Sequence, residues 1–402
     1  MIRRLAIILP AVAAASCDSR PAGTSGAIVS DSAGVRIMEL GAEGWGSGVE
    51  HVLASEPDLV IRSGVEDDAP VLFEVGDVQP VSGGRVAVAN RGTNEILVFD
   101  AVGDHVATWG GVGEGPGEFQ NLQWLTAISP DTLAAGDYRQ RRVSILDASG
   151  RFVKAIRAPG LTASSSPAFP PQPEGLLRDG TLVASSFRGP PAQAGTFRPV
   201  TELFVIAPGT ETPRTFGTFP GNEITLVREG EFLAVVLPPF ARNLHIEPAA
   251  DGIWVGDDGR WELREYSSAG RLRRLIRSAE NAEAVTDALL ETHIDHKYRD
   301  VGPEIDLEPL RGLQRRISGH ATVPAFGVVL AIPGGGVAVG AYDTVGSSTR
   351  MWRTVDVNGT VTSIRIPTAY DVKHWGPDRI LVVVRDELDR EEIRRYPILA
   401  RP

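Results

Sequence analysis

Ser82-Gly83-Gly84-Arg85-Val86-Ala87-Val88-Ala89, followed at a short distance by Phe99-Asp100-Ala101-Val102-Gly103, contains the unit from which most of the chain is built. Glycine and aspartate supply the backbone conformations that tight turns need, and the short apolar run between them suits a buried strand. The same turn and strand return at Ser129-Pro130-Asp131-Thr132 before Leu133–Gly136, and at Arg178-Asp179-Gly180-Thr181 before Leu182–Ser185. They return again at Ala250-Asp251-Gly252 before Ile253–Gly256, and at Pro333-Gly334-Gly335-Gly336 before Val337–Gly340. The last copy is Gly376-Pro377-Asp378-Arg379 before Ile380–Val384, so that six turns imply six hairpins.

A second marker, an apolar residue leading into another tight turn, recurs as Leu146-Asp147-Ala148-Ser149-Gly150 and Val355-Asp356-Val357-Asn358-Gly359. Weaker copies are Ile206-Ala207-Pro208-Gly209 and Tyr266-Ser267-Ser268-Ala269-Gly270. Positions equivalent to Asp100 fall at 100, 147, 207, 267 and 356, the long steps being filled by a Gly/Pro-rich excursion around Arg188–Pro199 and a helical insertion after Arg277. Each unit reads strand, turn, strand, loop, strand, turn, strand, which is one blade of a β-propeller. The expected fold is all-β: a six-bladed β-propeller over residues 34–402, with a short helical insertion at about 279–318 between blades four and five. Aligning Phe73 with Phe119 places Gly64 on Gly110, so Asp58–Arg62 takes the place of an outer strand that no earlier blade owns. The sixth blade runs out of chain after its third strand, Glu392–Tyr396, and the N-terminal strand is expected to complete it, removing an unpaired edge.

Between the first two units lies Gly110-Gly111-Val112-Gly113-Glu114-Gly115-Pro116-Gly117-Glu118-Phe119. It resembles the linker signature of NHL-type six-bladed propellers, a pattern common in exported bacterial proteins and predicted lipoproteins. The resemblance implies a fold and leaves the function open. A GxGxxG-like nucleotide motif can be forced onto the same residues, but Pro116 intrudes and no amphipathic helix follows to cradle a phosphate. The glycines are read as linker and Phe119 as a core anchor.

At the N-terminus Arg3 and Arg4 precede an apolar run from Leu5 to Ala15, interrupted by Pro10 and too short to span a bilayer. Ala14-Ala15-Ser16-Cys17 follows. It resembles the bacterial lipobox, in which the cysteine becomes the lipidated first residue of the mature protein, although Ala14 stands where leucine is usual. The expected organisation is a lipoprotein-type signal peptide over 1–16, lipidation at Cys17 and a flexible tether over 17–33. That places the protein on the periplasmic or cell-surface side of a bacterial membrane. Cys17 is the single cysteine, which excludes an intrachain disulfide. The net charge of −11 becomes more negative once Arg3 and Arg4 are removed, and such a surface repels nucleic acid.

Chemistry is sparse. No G-x-S-x-G elbow, HExxH pair or EF-hand loop occurs in the chain. A helix is expected over Ala279–Asp300, with Val285, Ala288, Leu289 and Thr292 as its apolar stripe, and a second helical piece over Leu307–Ile317 that packs back with it on one rim of the ring. His293 and His296 could share a face of it, but they equally suit a helix end whose cations complement the macrodipole, so no metal and no cofactor is assigned. Glu66-Asp67-Asp68 reads as a solvated linker, and Asn121 and Asn243 make only an incomplete match to the ion ligands of lactonase propellers.

Propeller topology puts the loops joining second and third strands on one face with the blade-to-blade linkers. Those loops carry Asn90, Arg91, Asp137, Tyr138, Arg139, Asp257, Asp258, Trp261, Tyr342, Asp343 and Arg385, the candidate ligand-binding residues, with Arg141, Arg260 and Asp386 beside them. The function expected is a membrane-tethered, non-catalytic recognition platform for a protein, peptide or glycan of the cell envelope. The alternative is a metal-assisted hydrolase of lactonase type, with its site in the central channel.

Overall fold

The computed structural model describes residues 26–41, 48–64, 70–158, 169–190, 192–210, 212–230, 232–280, 282–302 and 304–401. Cys17, the signal peptide and Glu66-Asp67-Asp68 lie outside these residues.

The molecule is mostly β, and its strands group into successive antiparallel sheets. The first holds Val75–Pro80, Val86–Asn90, Glu95–Phe99 and His105–Gly110; the second holds Leu122–Ser129, Thr132–Asp137, Arg142–Asp147 and Phe152–Arg157. The third is Gln172–Leu176, Leu182–Phe187, Val200–Ile206 and Arg214–Pro220, and the fourth begins with Leu244–Pro248, Gly252–Asp257, Glu262–Ser267 and Leu272–Ser278. The fifth begins with Val328–Ile332, Gly336–Gly340, Thr349–Val355 and Val361–Pro367. The sixth takes Asp371–Trp375, Arg379–Arg385 and Glu391–Ala400, and is completed by Leu59–Arg62, with Leu59 opposite Arg395 and Arg62 opposite Glu392. The strand expected from the alignment with Gly110 therefore lies where the sequence placed it.

Each apolar cluster is shared between two neighbouring sheets. Ala87, Phe119 and Leu146 join the first sheet to the second, Ile145, Leu182 and Ile206 the second to the third, and Leu203, Val255 and Tyr266 the third to the fourth. Met38, Trp254 and Val337 join the fourth to the fifth, and Trp352, Trp375 and Val382 the fifth to the sixth. Ile61, Val88 and Leu381 return from the sixth to the first. The second strands are buried on both faces, which is why Val86–Asn90 and Gly336–Gly340 read as continuous small or apolar runs without alternation. The arrangement is that of a β-propeller.

Three expectations are corrected. The tether does not reach residue 33: Ile28–Ser32 is a strand antiparallel to Val35–Leu40, joined through Ala33 and Gly34, both at positive φ. Val35–Leu40 then runs parallel to Leu272–Ser278 and buries Met38 and Leu40, so this hairpin extends the fourth sheet. Val49–Leu53 likewise adds to the fifth sheet, parallel to Val361–Pro367, and also reaches Glu391–Ala400.

The helix expected over Ala279–Asp300 is shorter, and the second helical piece is present. Helix α1 spans Asp287–Lys297 and starts where the Thr286 side chain accepts the N–H of Leu289; before it, Ala284 bridges Thr322 in extended backbone. Its inward face is Leu290, His293 and Ile294, whereas Ala288 and Thr292 are exposed, so the expected stripe was rotated around the helix. Helix α2, Glu308–Ile317, packs beside α1 through Arg315, which reaches Glu291 at 2.7 Å. The excursion around Arg188–Pro199 also contains Gly195–Phe197, which pairs with Ile224–Glu229 and, through it, Phe232–Val236. Among the described residues no helix is long and apolar enough to cross a membrane.

Candidate functional site

The loop residues singled out in the sequence are largely engaged in building the ring. Asn90 Oδ1 accepts the N–H of Phe73 at 2.7 Å, while its amide nitrogen donates to the Val71 carbonyl at 3.0 Å and to Thr93 at 2.8 Å. Asp137 accepts N–H groups from Gln120 at 2.6 Å, Asn121 at 3.2 Å and Gln140 at 2.8 Å. Asp258 accepts the N–H of Asn243 at 2.7 Å and lies 3.3 Å from His245 Nε2. All three are buried at the end of a second strand, and each holds the linker entering its own sheet. The same task falls to Ser186, which donates to the Phe169 carbonyl, and a related one to Glu391, which accepts from Val75. A buried carboxylate satisfied by several backbone donors has little left to offer a ligand.

The other candidates are dispersed. Asp257 is clamped by Arg198 at 2.9 and 3.1 Å, Asp343 pairs with Arg350 at 3.0 Å, and Arg385 with Glu391 at 3.0 Å. Arg91 lies 3.7 Å from Glu74, and Arg139 is exposed. Trp261 is buried between the fourth and fifth sheets against Phe326, and half-buried Tyr342 faces Phe240 edge-on. His293 packs on Phe240 and exposed His296 contacts Arg299. Among the described residues no group of three or more His, Cys, Asp or Glu is placed to hold a metal ion.

The glycine-rich linker behaves as a linker. Arg142, buried beneath it, donates to the carbonyls of Glu114, Gly115 and Glu118, and the N–H of Gly115 is taken by Glu118. A loop that turns its carbonyls onto a guanidinium has the opposite polarity from a phosphate cradle.

A cavity of about 840 Å³ lies elsewhere. It runs along Val75–Pro80, Leu122–Ser129, Gln172–Leu176, Leu244–Pro248, Val328–Ile332 and Asp371–Trp375, and reaches the surface among the tight turns, where Arg85, Arg178, Asp251 and Asp378 line it. None of the candidate loop residues lines it. Tyr138 reaches its wall indirectly, donating from its hydroxyl to Glu174 at 3.0 Å.

Inside, polar side chains come from several strands: Asp77, Glu174 and Glu247 from the first, third and fourth sheets, Lys373 and His374 from the sixth. Trp124, from the second, lays its indole on the wall and donates to the Pro173 carbonyl at 2.9 Å. Asp77 accepts the N–H groups of Val78 at 2.7 Å and Leu125 at 2.8 Å; Glu247 accepts that of Ala331 at 3.0 Å. These acids thus bridge neighbouring innermost strands while facing the cavity. Their surfaces are partly open to it, so the surrounding wall, rather than complete enclosure, disfavours their charge. Burial raises Asp77, against backbone hydrogen bonds and Lys373 that pull it down. Burial also raises Glu174, against its hydrogen bonds from Ser185 and Tyr138. Glu247 is pushed up to about 8, by burial first and by the charge of Asp77 in addition, and burial lowers His374 to about 4. At neutral pH the wall therefore offers a neutral imidazole and a carboxyl that retains its proton.

Sequence reasoning missed this group because each acid stands alone in its strand. The legible signal was positional: Asp77, Trp124, Glu174 and Lys373 are each the third residue of an innermost strand.

No protein-family model matches the chain, and no curated protein matches it. Among solved structures, a member of the DUF4221 family from Bacteroides vulgatus is similar with a TM-score of 0.51 and 8% identity, covering 88% of this chain and 100% of that one. Regucalcin from Agrobacterium tumefaciens, a calcium-binding protein, aligns with a TM-score of 0.40 and 12% identity over 88% of this chain and 97% of its own. Virginiamycin B lyase from Staphylococcus aureus aligns with a TM-score of 0.38 and 9% identity, covering 84% and 98%. At these identities the likeness to the DUF4221 protein is one of fold.

Proposed function

We propose that the protein is an exported six-bladed β-propeller of NHL-like pattern, tethered to the envelope membrane by lipid at Cys17, that binds a small ligand in its axial cavity. The six apolar clusters, each shared by neighbouring sheets and the last returning to the first, support the count of blades. The signal-like N-terminus and the lipobox resemblance support export and anchoring. The observation that carries the binding reading is the cavity itself: about 840 Å³ falls within the range of pockets that enclose small molecules, and few but convergent polar groups line it. The tight-turn face, rather than the loop face, is then the side from which a ligand enters.

A second reading, that the cavity performs acid–base chemistry, is favoured by one observation: Glu247 holds its proton near neutrality beside a second cavity carboxyl, Asp77. The test of the main reading is a ligand-detected NMR screen of the full-length protein with a mixed fragment set, repeated on Ala331→Trp, which would fill the cavity from the fifth sheet. Binding should weaken at least about tenfold in the variant, measured at a temperature where it remains folded. Fragments that bind both proteins equally would refute the reading, and turnover of any bound fragment would replace it with the second.

A further inference from the structure

We infer that the axial cavity receives a small organic cation, its primary ammonium head seated beside Glu247 and Asp77, and that uptake releases a proton to solvent. This rests on the cavity being a ligand site, and it specifies what that site takes.

Three carboxyls on three different innermost strands face one cavity, and the positive charge nearest them is already engaged. Lys373 pairs with Asp371 at 2.8 Å. At the mouth, Arg178 lies 3.5 Å from Asp251, Arg379 lies 3.4 Å from Asp378, and Arg395 lies 2.6 Å from Asp58. Arg85 donates to the Ser82 carbonyl at 3.1 Å, and Glu265, also on the lining, is taken by Arg274 at 2.6 Å. The interior thus has more acid than base, and the wall penalises that charge.

Two side chains on the lining have capacity to spare. His374 makes no hydrogen bond to the protein among the described residues, and Glu247 uses one oxygen, on Ala331, leaving the other. A neutral imidazole can accept a hydrogen bond from an ammonium without repelling it. An anion would meet the acids, while the cations of the lining are already engaged, and a neutral ligand would leave the acids as they are. A cation removes the penalty.

The proton balance follows. Burial and the neighbouring Asp77 keep Glu247 protonated at pH 7; an ammonium arriving beside it favours the carboxylate, and the proton from its Oε–H passes to water. No bond to the ligand is formed or broken. The groups facing Glu247 from the other innermost strands are Asp77, Glu174, Lys373 and His374. Of these, His374 is neutral over the same range, and Lys373 is held by Asp371.

Isothermal titration of the full-length protein in detergent at pH 7 tests this with three probes of nearly equal size: phenethylammonium, 2-phenylethanol and 3-phenylpropionate. The ammonium should bind at least about tenfold tighter than the alcohol, and the carboxylate should not bind. Its measured heat should differ between phosphate and Tris by an amount that reports proton release. Glu247→Gln should abolish that difference and weaken the ammonium. Should the variant fail to fold, the two-buffer measurement on the native protein still decides. Tighter binding of the alcohol or the carboxylate, lost in Ala331→Trp, would overturn the cationic class and leave the cavity as a ligand site. Binding of the ammonium with no proton release would overturn the exchange. Binding of none of the three would overturn the inference outright.

Discussion

Glu391 in the sixth sheet accepts the backbone N–H of Val75 in the first at 2.8 Å, joining residues 316 positions apart. Its other oxygen meets Arg385 at 3.0 Å. Glu391 is buried, so its removal leaves a peptide donor without an acceptor inside the protein. We expect Glu391→Ala to cost about 2 kcal/mol in urea-induced unfolding, against under about 1 kcal/mol for Asp58→Ala, whose pair with Arg395 is partly solvated. Equal losses would mean that closure of the ring does not depend on this bond.

Asp137 separates a structural from a ligand-binding role. Its carboxylate holds the backbone of Gln120, Asn121 and Gln140. Asp137→Ala should therefore destabilise the protein by about 2–4 kcal/mol, and Asp137→Asn by less, since the amide oxygen still accepts. At a temperature where the alanine variant remains folded, its fragment binding should match that of the native protein. A lost ligand with unchanged stability would restore the loop face as the site.

The backbone-holding part that Asp137 plays was not legible in the sequence, for a physical reason. A polar residue closing an apolar run looks like the start of an exposed binding loop, yet in a closed ring that position meets the incoming linker, whose N–H groups need acceptors. The turns were legible because positive φ leaves few residue choices: Gly103, Gly150, Gly180, Gly270 and Gly359 all adopt it. Closure by Leu59–Arg62 was legible because a glycine alignment fixed its register. Asp77, Glu174 and Glu247 were not, because a channel assembles residues by their height along strands and leaves no local motif.

The cavity acids should also shape the pH dependence of stability. Glu247 is raised from 4.5 to about 8 on folding, so its contribution is full below pH 4.5 and is lost as pH rises towards 8. His374 is lowered from 6.5 to about 4, so its contribution is present above pH 6.5 and is lost as pH falls towards 4. The two oppose each other between pH 4.5 and 6.5, and above pH 6.5 the Glu247 slope is no longer opposed by His374. Unfolding free energy should then fall by on the order of 1 kcal/mol between pH 6.5 and 8, and Glu247→Gln should flatten the fall. A native profile that rises across this interval would contradict a protonated Glu247 in the folded cavity.

Gly136 and Trp124 are direct partners across the second sheet, and the indole lies over the glycine. A Cβ added to Gly136 would stand 2.0 Å from Trp124 Cε2, which no small adjustment of the strand relieves. The ring must move, and doing so breaks the bond from its Nε1 to the Pro173 carbonyl. Because Trp124 lines the cavity, the displaced ring has open space to enter there. We expect Gly136→Ala to cost about 1–3 kcal/mol as an overpacked site, and to weaken fragment binding by narrowing the cavity. The double variant Gly136→Ala, Trp124→Ala should recover much of the stability and the binding, because the methyl group then meets no ring. If the single variant melts with the native protein and binds as it does, the indole is not seated against Gly136, and the wall of the cavity at the second sheet differs from the one described.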